Sequence, residues 1–559
     1  MAQTPKWWKE EVIYQIYPMS FQDSNADGIG DIQGIISRLD YLQSLGITMI
    51  WMSPFYESPN DDNGYDISNY TAIGKDYGTM EDFEELLAQA KKRGIKVLVD
   101  TVFNHSSDEH AWFQESKKGK DNPYRDYYIW KPGKNGGPPN NWQSFFEGSA
   151  WQYDEASGEY YLHLFTVKQP DLNWENPKVR QEVADVCKFW LDKGVAGFRM
   201  DVIPLISKQQ DYPDADNSIR FEDMVEVTYS NGPRVHEFLH ELNQEVFSKY
   251  ECMTMAEGIG ITDKQAALYI DEDRKELDSL YHFDHLFLDH GPGGRFDVRK
   301  WKLSELKAVL DKWDKAVGDK GWFCFSMGNH DFGRIVNRYG SEAYREKSAK
   351  LLSTLILGMR ATPIIYQGDE IGMVNTNIRS MDDVDDVMTR NAYKAWKGNG
   401  LDEAEFMKAA QLQSRDHART PMQWDNTAHA GFTKGAPWLK INMKYESINV
   451  AAAQKEADSV LDYYIRMIQL RKSDKTFVYG EYVSLLQDHE QLFAFHRKGE
   501  DTSYLFVLNM SDEQVRADLD VPANFEVVMN NYDSMICCDG CDCIELRPWE
   551  AVVLKTDTK

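Results

Sequence analysis

Short apolar runs along this chain alternate with longer stretches in which apolar residues return every three or four positions. Eight runs read as strands: residues 12–18 (VIYQIYP), 47–54 (ITMIWMSP), 95–103 (IKVLVDTVF), 194–203 (GVAGFRMDVI), 253–257 (MTMAE), 279–286 (SLYHFDHL), 321–327 (GWFCFSM) and 361–368 (ATPIIYQG). Helical patterns lie between them. One has Thr79 as N-cap, carries Phe83, Leu86, Leu87 and Ala90 on one face, and stops at Gly94. Another has Asn176 as N-cap and Pro177 at its first position, with Val179, Val183, Val186 and Trp190 on one stripe. This alternation predicts an α/β chain built as a (β/α)8 TIM barrel.

Two stretches break the rhythm. Residues 104–172 are too long for one crossover and are rich in Gly, Pro, Asn and aromatics, so they read as a small inserted domain after strand 3. Residues 375–412 are charged and helical, placed to cover the barrel mouth. From about 478 the pattern turns to alternating strands such as YLFVLNM and EAVVLKT, a C-terminal antiparallel β domain. The expected organisation is barrel over 1–103, insert over 104–172, barrel again over 173–477 and β domain over 478–559.

Three of the strand-like runs end in acids: Asp201, Glu257 and Asp331. A parallel barrel gathers such ends on one face, where its chemistry sits. Paired carboxylates facing a sugar are what glycosidic cleavage needs. Composition changes this picture little. The 62 basic and 90 acidic residues leave a net charge of −28, which argues against nucleic acid and anionic membrane partners. No apolar run approaches the ~20 residues of a membrane span, and the N-terminus lacks a leader pattern. Seven cysteines, an odd number, fit a reducing cytoplasm. Four of them, Cys537, Cys538, Cys541 and Cys543, cluster near the end; a thiol metal site there lacks a second distant pair, and free thiols on a hairpin are the alternative.

The motifs DTVFNH, GFRMD, AEG and GNHD occur in this order, together with VIYQIYPMSFQDSNADGIGDIQG and SRDHARTPMQW. With them the chain resembles α-amylase superfamily glycoside hydrolases of the oligo-1,6-glucosidase type over nearly its whole length. The resemblance implies that Asp201 is the nucleophile, Glu257 the general acid and base, and Asp331 the residue gripping sugar hydroxyls. It implies that Asp62 and Tyr65 bind the terminal glucose, with Tyr65 as a stacking platform, and that Arg419 binds the same sugar. His105 and His330 would donate hydrogen bonds to sugar hydroxyls. Arg199, two residues before Asp201, points to the same side of its strand and can hold the nucleophile ionised. Asp100 reads as structural.

Val202 follows the nucleophile, and in this family Val there resembles enzymes acting on α-1,6 linkages. The implied activity is an exo-acting, retaining α-glucosidase on isomaltose and short isomalto-oligosaccharides. One departure stands out: after NHD the family's Gln-Pro-Arg is replaced by Phe332-Gly333-Arg334, which puts Phe332 near the aglycone side. A trehalose-6-phosphate hydrolase and a sucrose isomerase share the catalytic set and are the alternatives; a non-catalytic transporter-associated homologue is the reading from another class. Asp23, Asn25, Asp27, Ile29 and Asp31 place oxygen donors at alternate positions, like the first part of an EF-hand loop, although Gly34 stands where the bidentate Glu would be. Calcium, with magnesium as the alternative, is the expected structural ion. No organic cofactor is implied. A small oligosaccharide is the expected partner, and the chain is expected to be a monomer or weak homo-oligomer.

Overall fold

The computed structural model describes residues 5–519, 524–537 and 543–557. Eight parallel strands form the central sheet: β1 (Ile13–Ile16), β2 (Met49–Met52), β3 (Lys96–Thr101), β4 (Gly197–Met200), β5 (Met253–Glu257), β6 (Ser279–Tyr281), β7 (Cys324–Phe325) and β8 (Thr362–Tyr366). Their spatial order is β6-β5-β4-β3-β2-β1-β8-β7. A parallel bridge between Leu280 and Phe323 joins β6 to β7 and closes the barrel. Full closure removes both sheet edges, so nearly every strand residue is buried, which is why these runs read as continuous apolar segments.

The two-residue period sorts the side chains. Tyr14, Ile50, Val97, Val99 and Phe198 face the helical layer. Ile13, Met49, Leu98, Met253 and Met255 pack inside the barrel. Two residues further along the same inward row come Gln15, Trp51, Asp100 and Glu257, and Arg199 leads to Asp201 on β4. The barrel is therefore greasy at its lower end and polar at its upper end. Gly197 is needed at one point in it: at φ 146° a Cβ there would lie 1.9 Å from the Met253 carbonyl oxygen on β5.

The expected helices form. α1 (Met80–Lys92) starts in a capping box between Thr79 and Asp82, a device worth about 1 kcal/mol. α2 (Pro177–Lys193) has Asn176 as N-cap and ends at Gly194 in the left-handed region. Val179, Val183 and Trp190 are buried on its inner stripe. After β3 the chain leaves the barrel and builds a small antiparallel sheet from Trp130–Lys131, Trp151–Asp154 and Glu159–Leu162. After β8, helices α3 (Val387–Gly398) and α4 (Glu403–Gln413) lie beside the barrel mouth. A five-stranded antiparallel sheet follows, β9 (Glu481–Leu485), β10 (Leu492–Lys498), β11 (Thr502–Asn509), β12 (Glu526–Asn530) and β13 (Ala551–Asp557), in the order β9-β10-β11-β13-β12.

Two strands stop earlier than their sequence suggests. β6 ends at Tyr281 and β7 at Phe325, so Asp331 lies on the loop beyond β7 and not at a strand end. Phe283, Leu286 and Phe332 continue the apolar pattern because they pack against one another inside the mouth, where periodicity cannot tell loop from strand. Of the terminal cysteine cluster, residues 538–542 and the side chains of Cys537 and Cys543 lie outside the described residues. Among the described residues no helix is long and apolar enough to cross a membrane.

Candidate active site

A cavity of about 610 Å³ opens at the C-terminal end of the barrel strands. Asp62, Tyr65, His105, Asp201, Val202, Glu257, His330, Asp331 and Phe332 all line it. They come from positions as far apart in the chain as Asp62 and Phe332.

Arg199 organises the floor. It is fully buried, and its guanidinium reaches Asp201 Oδ1 at 2.6 Å, Glu257 Oε1 at 2.8 Å and Asp100 Oδ1 at 2.8 Å. The remaining N–H groups donate to the Tyr281 hydroxyl at 2.8 and 3.0 Å. Four partners in fixed directions need the planar fork of arginine. Asp100 also accepts from Trp51 Nε1 at 3.2 Å and Tyr65 Oη at 3.0 Å, so it is spent on holding the floor together. Burial pushes the Asp100 carboxyl up to about 6, against the pull of Arg199. Burial also pushes Asp201 well above the ordinary carboxylate range; Arg199 opposes this, and the Glu257 and Asp100 charges add to it. Three acids gathered around one cation compete for its charge.

Val202 carries the strain of the site. Its φ and ψ are both 36°, in the left-handed region that a β-branched residue avoids. This turn aims the Val202 N–H at Glu257 Oε2, 2.8 Å away. Strain of this kind costs about 1–3 kcal/mol and persists where packing over-determines it. Here the Val202 side chain is buried among the insert's aromatic residues.

His330 stands between Tyr17 and Tyr65, stacked on Tyr65 with ring centres 5.2 Å apart and planes within 2°. Gln15 Nε2 lies 2.8 Å from its Nδ1, so the ring proton sits on Nε2, which faces Asp331 Oδ2 at 3.2 Å. Burial lowers the His330 pKa to about 3, and the ring is neutral. His105 is likewise held neutral by burial, at about 4, with Nε2 donating to the Tyr65 carbonyl at 3.1 Å. Burial raises the proton affinity of Asp331, but the His330 N–H and the charges of Arg415, Arg419 and Arg295 outweigh it and hold the carboxyl well below the usual range.

The arginine assignment needs a correction. Arg419 is fully buried and does not line the cavity: its Nε donates to the His330 carbonyl at 3.0 Å and its Nη2 to Asp331 at 3.0 Å, so it props the loop from behind. The cavity arginine is Arg415, one helical turn earlier. It reaches Asp62 at 2.9 Å, Asp386 at 2.7 Å and Asp331 at 3.4 Å. Both arginines lie in SRDHARTPMQW, and the motif alone does not say which side chain faces the cavity. Arg295, another cavity residue, was invisible in the sequence; it donates to the carbonyls of Asp331 and Gln413.

The Asp23–Asp31 loop lies apart from these groups. Asp23 accepts from the amides of Asn25, Ala26 and Gly28 and from Thr433 Oγ1. Asp31 caps the following helix through Gly34 N at 2.6 Å and binds Ser24. Asp27 Oδ1 accepts from Ile29 N at 2.8 Å. Oxygen donors alone suit a hard cation, while the amide bonds close the loop as a run of Asx turns. Among the described residues no group of three acidic, His or Cys side chains forms a metal cluster.

A parallel barrel whose upper rim gathers carboxylates at the floor of an aromatic-walled cavity is the architecture of a barrel glycosidase. The chain belongs to the alpha-amylase family of glycoside hydrolases: residues 15–480 match the alpha-amylase catalytic domain. It is 51% identical to an oligo-1,6-glucosidase of Parageobacillus thermoglucosidasius, covering 98% of this chain and 99% of that one. It is 44% identical to a trehalose-6-phosphate hydrolase of Bacillus subtilis (strain 168), covering 99% and 98%. Among solved structures, an isomaltulose synthase from Protaminobacter rubrum superposes with a TM-score of 0.95 at 43% identity, over 99% of each chain.

Proposed function

We propose that this enzyme is a retaining, exo-acting α-glucosidase that hydrolyses α-1,6-glucosidic bonds of isomaltose and short isomalto-oligosaccharides from the non-reducing end. The observation that carries the reading is one guanidinium, Arg199, in contact with both Asp201 and Glu257. Sharing one cation keeps the two carboxyls close, whereas an inverting enzyme needs a gap of roughly 6.5–9.5 Å for its water.

In this reading Asp201 attacks the anomeric carbon while Glu257 gives its proton to the departing oxygen. The covalent glucosyl-enzyme is then opened by water, whose proton Glu257 takes back. Arg199, 2.6 Å from Asp201 Oδ1, favours charge on the nucleophile. Arg415 ties Asp62, Asp331 and Asp386 together at one wall. Such a cross-linked wall supports exo action, because a glucan chain cannot run through it. The branched, buried Val202 beside the nucleophile supports the α-1,6 preference by excluded volume. Against a phosphorylated substrate stands the engagement of both cavity arginines, Arg415 by carboxylates and Arg295 by carbonyls.

The test is glucose release from isomaltose, maltose, sucrose, trehalose and trehalose 6-phosphate, side by side. Isomaltose should be cleaved at least tenfold faster than maltose at equal low concentration, and trehalose 6-phosphate hardly at all. A clear preference for any of the other four would overturn the proposed linkage.

Calcium at the Asp23–Asp31 loop belongs to the same proposal, supported by its oxygen-only donors. The ion would be held by Asp23, Asn25, Asp27, Asp31 and the Ile29 carbonyl, and would supply rigidity only. Chelation should lower Tm by a few degrees and added calcium should restore it more fully than magnesium; a Tm indifferent to both ions would remove the metal from the proposal. We also place the enzyme in a reducing cytoplasm, on the free thiols of Cys187, Cys252 and Cys324, as a monomer or weak homo-oligomer.

A further inference from the structure

The inner end of the cavity is polar, but its outer half is not. Phe283, Phe287 and Phe332 form one aromatic nest, with ring centres 5.5–6.2 Å apart. Phe296, Trp396 and Phe406 form a second beside α3 and α4, with Phe406 stacked on Phe296 at 5.0 Å and edge-on to Trp396 at 5.6 Å. Leu401, on the link between the two helices, lines the same cavity and is 50% exposed. Among the polar groups nearby, Glu222 Oε1 and His290 Nδ1 pair at 2.7 Å, and the Arg295 guanidinium lies 4.9 Å over the Phe332 ring while it donates to two carbonyls. Much of the wall that a leaving group meets here is aromatic.

We propose that this outer chamber takes an apolar aglycone, so that alkyl and arylalkyl α-D-glucosides are substrates of the enzyme. The proposal rests on the α-glucosidase reading and names the leaving group that the chamber selects. The bond broken and the proton transfers are those already described, with the alcohol leaving in place of a sugar. Each methylene moved from water onto such a wall favours binding by up to about fourfold.

Methyl and hexyl α-D-glucopyranoside isolate the effect, because their alcohols are matched as leaving groups. With the full-length enzyme, kcat/KM for the hexyl glucoside should exceed that for the methyl glucoside at least tenfold, mainly through KM. Trp396→Ala should shrink the ratio several-fold, and Trp396→Phe should restore most of it. Phe296→Ala serves as a second variant should Trp396→Ala fail to fold. A hexyl to methyl ratio near one overturns the proposal, as does a ratio unmoved in both alanine variants with Tm retained. Cleavage of isomaltose but of neither alkyl glucoside also overturns it. Failure on all three substrates would instead remove the glucosidase reading beneath it.

Discussion

At the residue scale, the site is a problem of packing like charges without letting them cancel the chemistry. Arg199 solves it on the floor and Arg415 on the wall, each through several acids at once. Lysine at either position keeps one charge but loses the fork that fixes the acids' directions. Arg415→Lys should therefore lower kcat/KM on isomaltose by about a hundredfold, much of it in KM, since it frees Asp62 at the sugar-facing wall. Arg419→Lys should act differently. That side chain reaches the His330 carbonyl from behind the loop, so its first effect should be a loss of Tm. Steady-state kinetics and thermal melts on the two variants separate the roles; equal kinetic losses in both would return Arg419 to the sugar site. The motif could not have made this choice. Two arginines four apart are neighbours along a short helix, and only the tertiary position of Asp62 decides which of them reaches the cavity.

At the element scale, the strands were legible because closure buries them on both faces and leaves short unbroken apolar runs. The lengths of β6 and β7 were not, since loop residues such as Phe283 and Phe332 are as apolar and as buried as strand residues. The three acids could be read as strand-end groups, yet only Asp201 and Glu257 sit at or next to a strand; Asp331 is placed by its loop and the arginines around it. The pairing of β4 with β5 matters most, because it sets Asp201 beside Glu257. Gly197 makes that pairing possible. A methyl group there would come within 1.9 Å of the Met253 oxygen and 2.7 Å of its nitrogen, and the φ of 146° is itself closed to alanine. Gly197→Ala should cost at least about 3 kcal/mol and lower Tm by many degrees, with activity falling further than the folded fraction. An alanine variant with native Tm and native kcat would mean that the two strands can slide apart without disturbing the carboxylates.

At the scale of the whole molecule, burial of titratable groups shapes stability against pH. Burial pushes Asp66, Asp369 and Asp416 up to about 7. Unfolded, each titrates near roughly 3.9. The folded state holds their protons more tightly, so the stability they carry is full below about pH 4 and is lost as pH rises to about 7. Burial does the opposite to His105, His110, His285 and His417, each lowered to about 4. Their unfolded pKa is roughly 6.5. The stability they carry is present above that pH and is lost as pH falls toward about 4. The two sets oppose each other over the same window, so Tm should change little between about pH 4.5 and 7. Removing one member should tilt the balance. Asp369 is fully enclosed, facing Arg334, Glu370 and the Tyr366 amide, and an asparagine keeps its shape without its proton. Asp369→Asn should therefore gain stability relative to the native chain as pH rises from 4.5 to 7.5, by up to about 1.4 kcal/mol per pH unit. Thermal melts of both proteins across that range measure it. A constant difference in Tm would mean that Asp369 does not titrate there, and the plateau would then owe nothing to the opposition of buried acids and histidines.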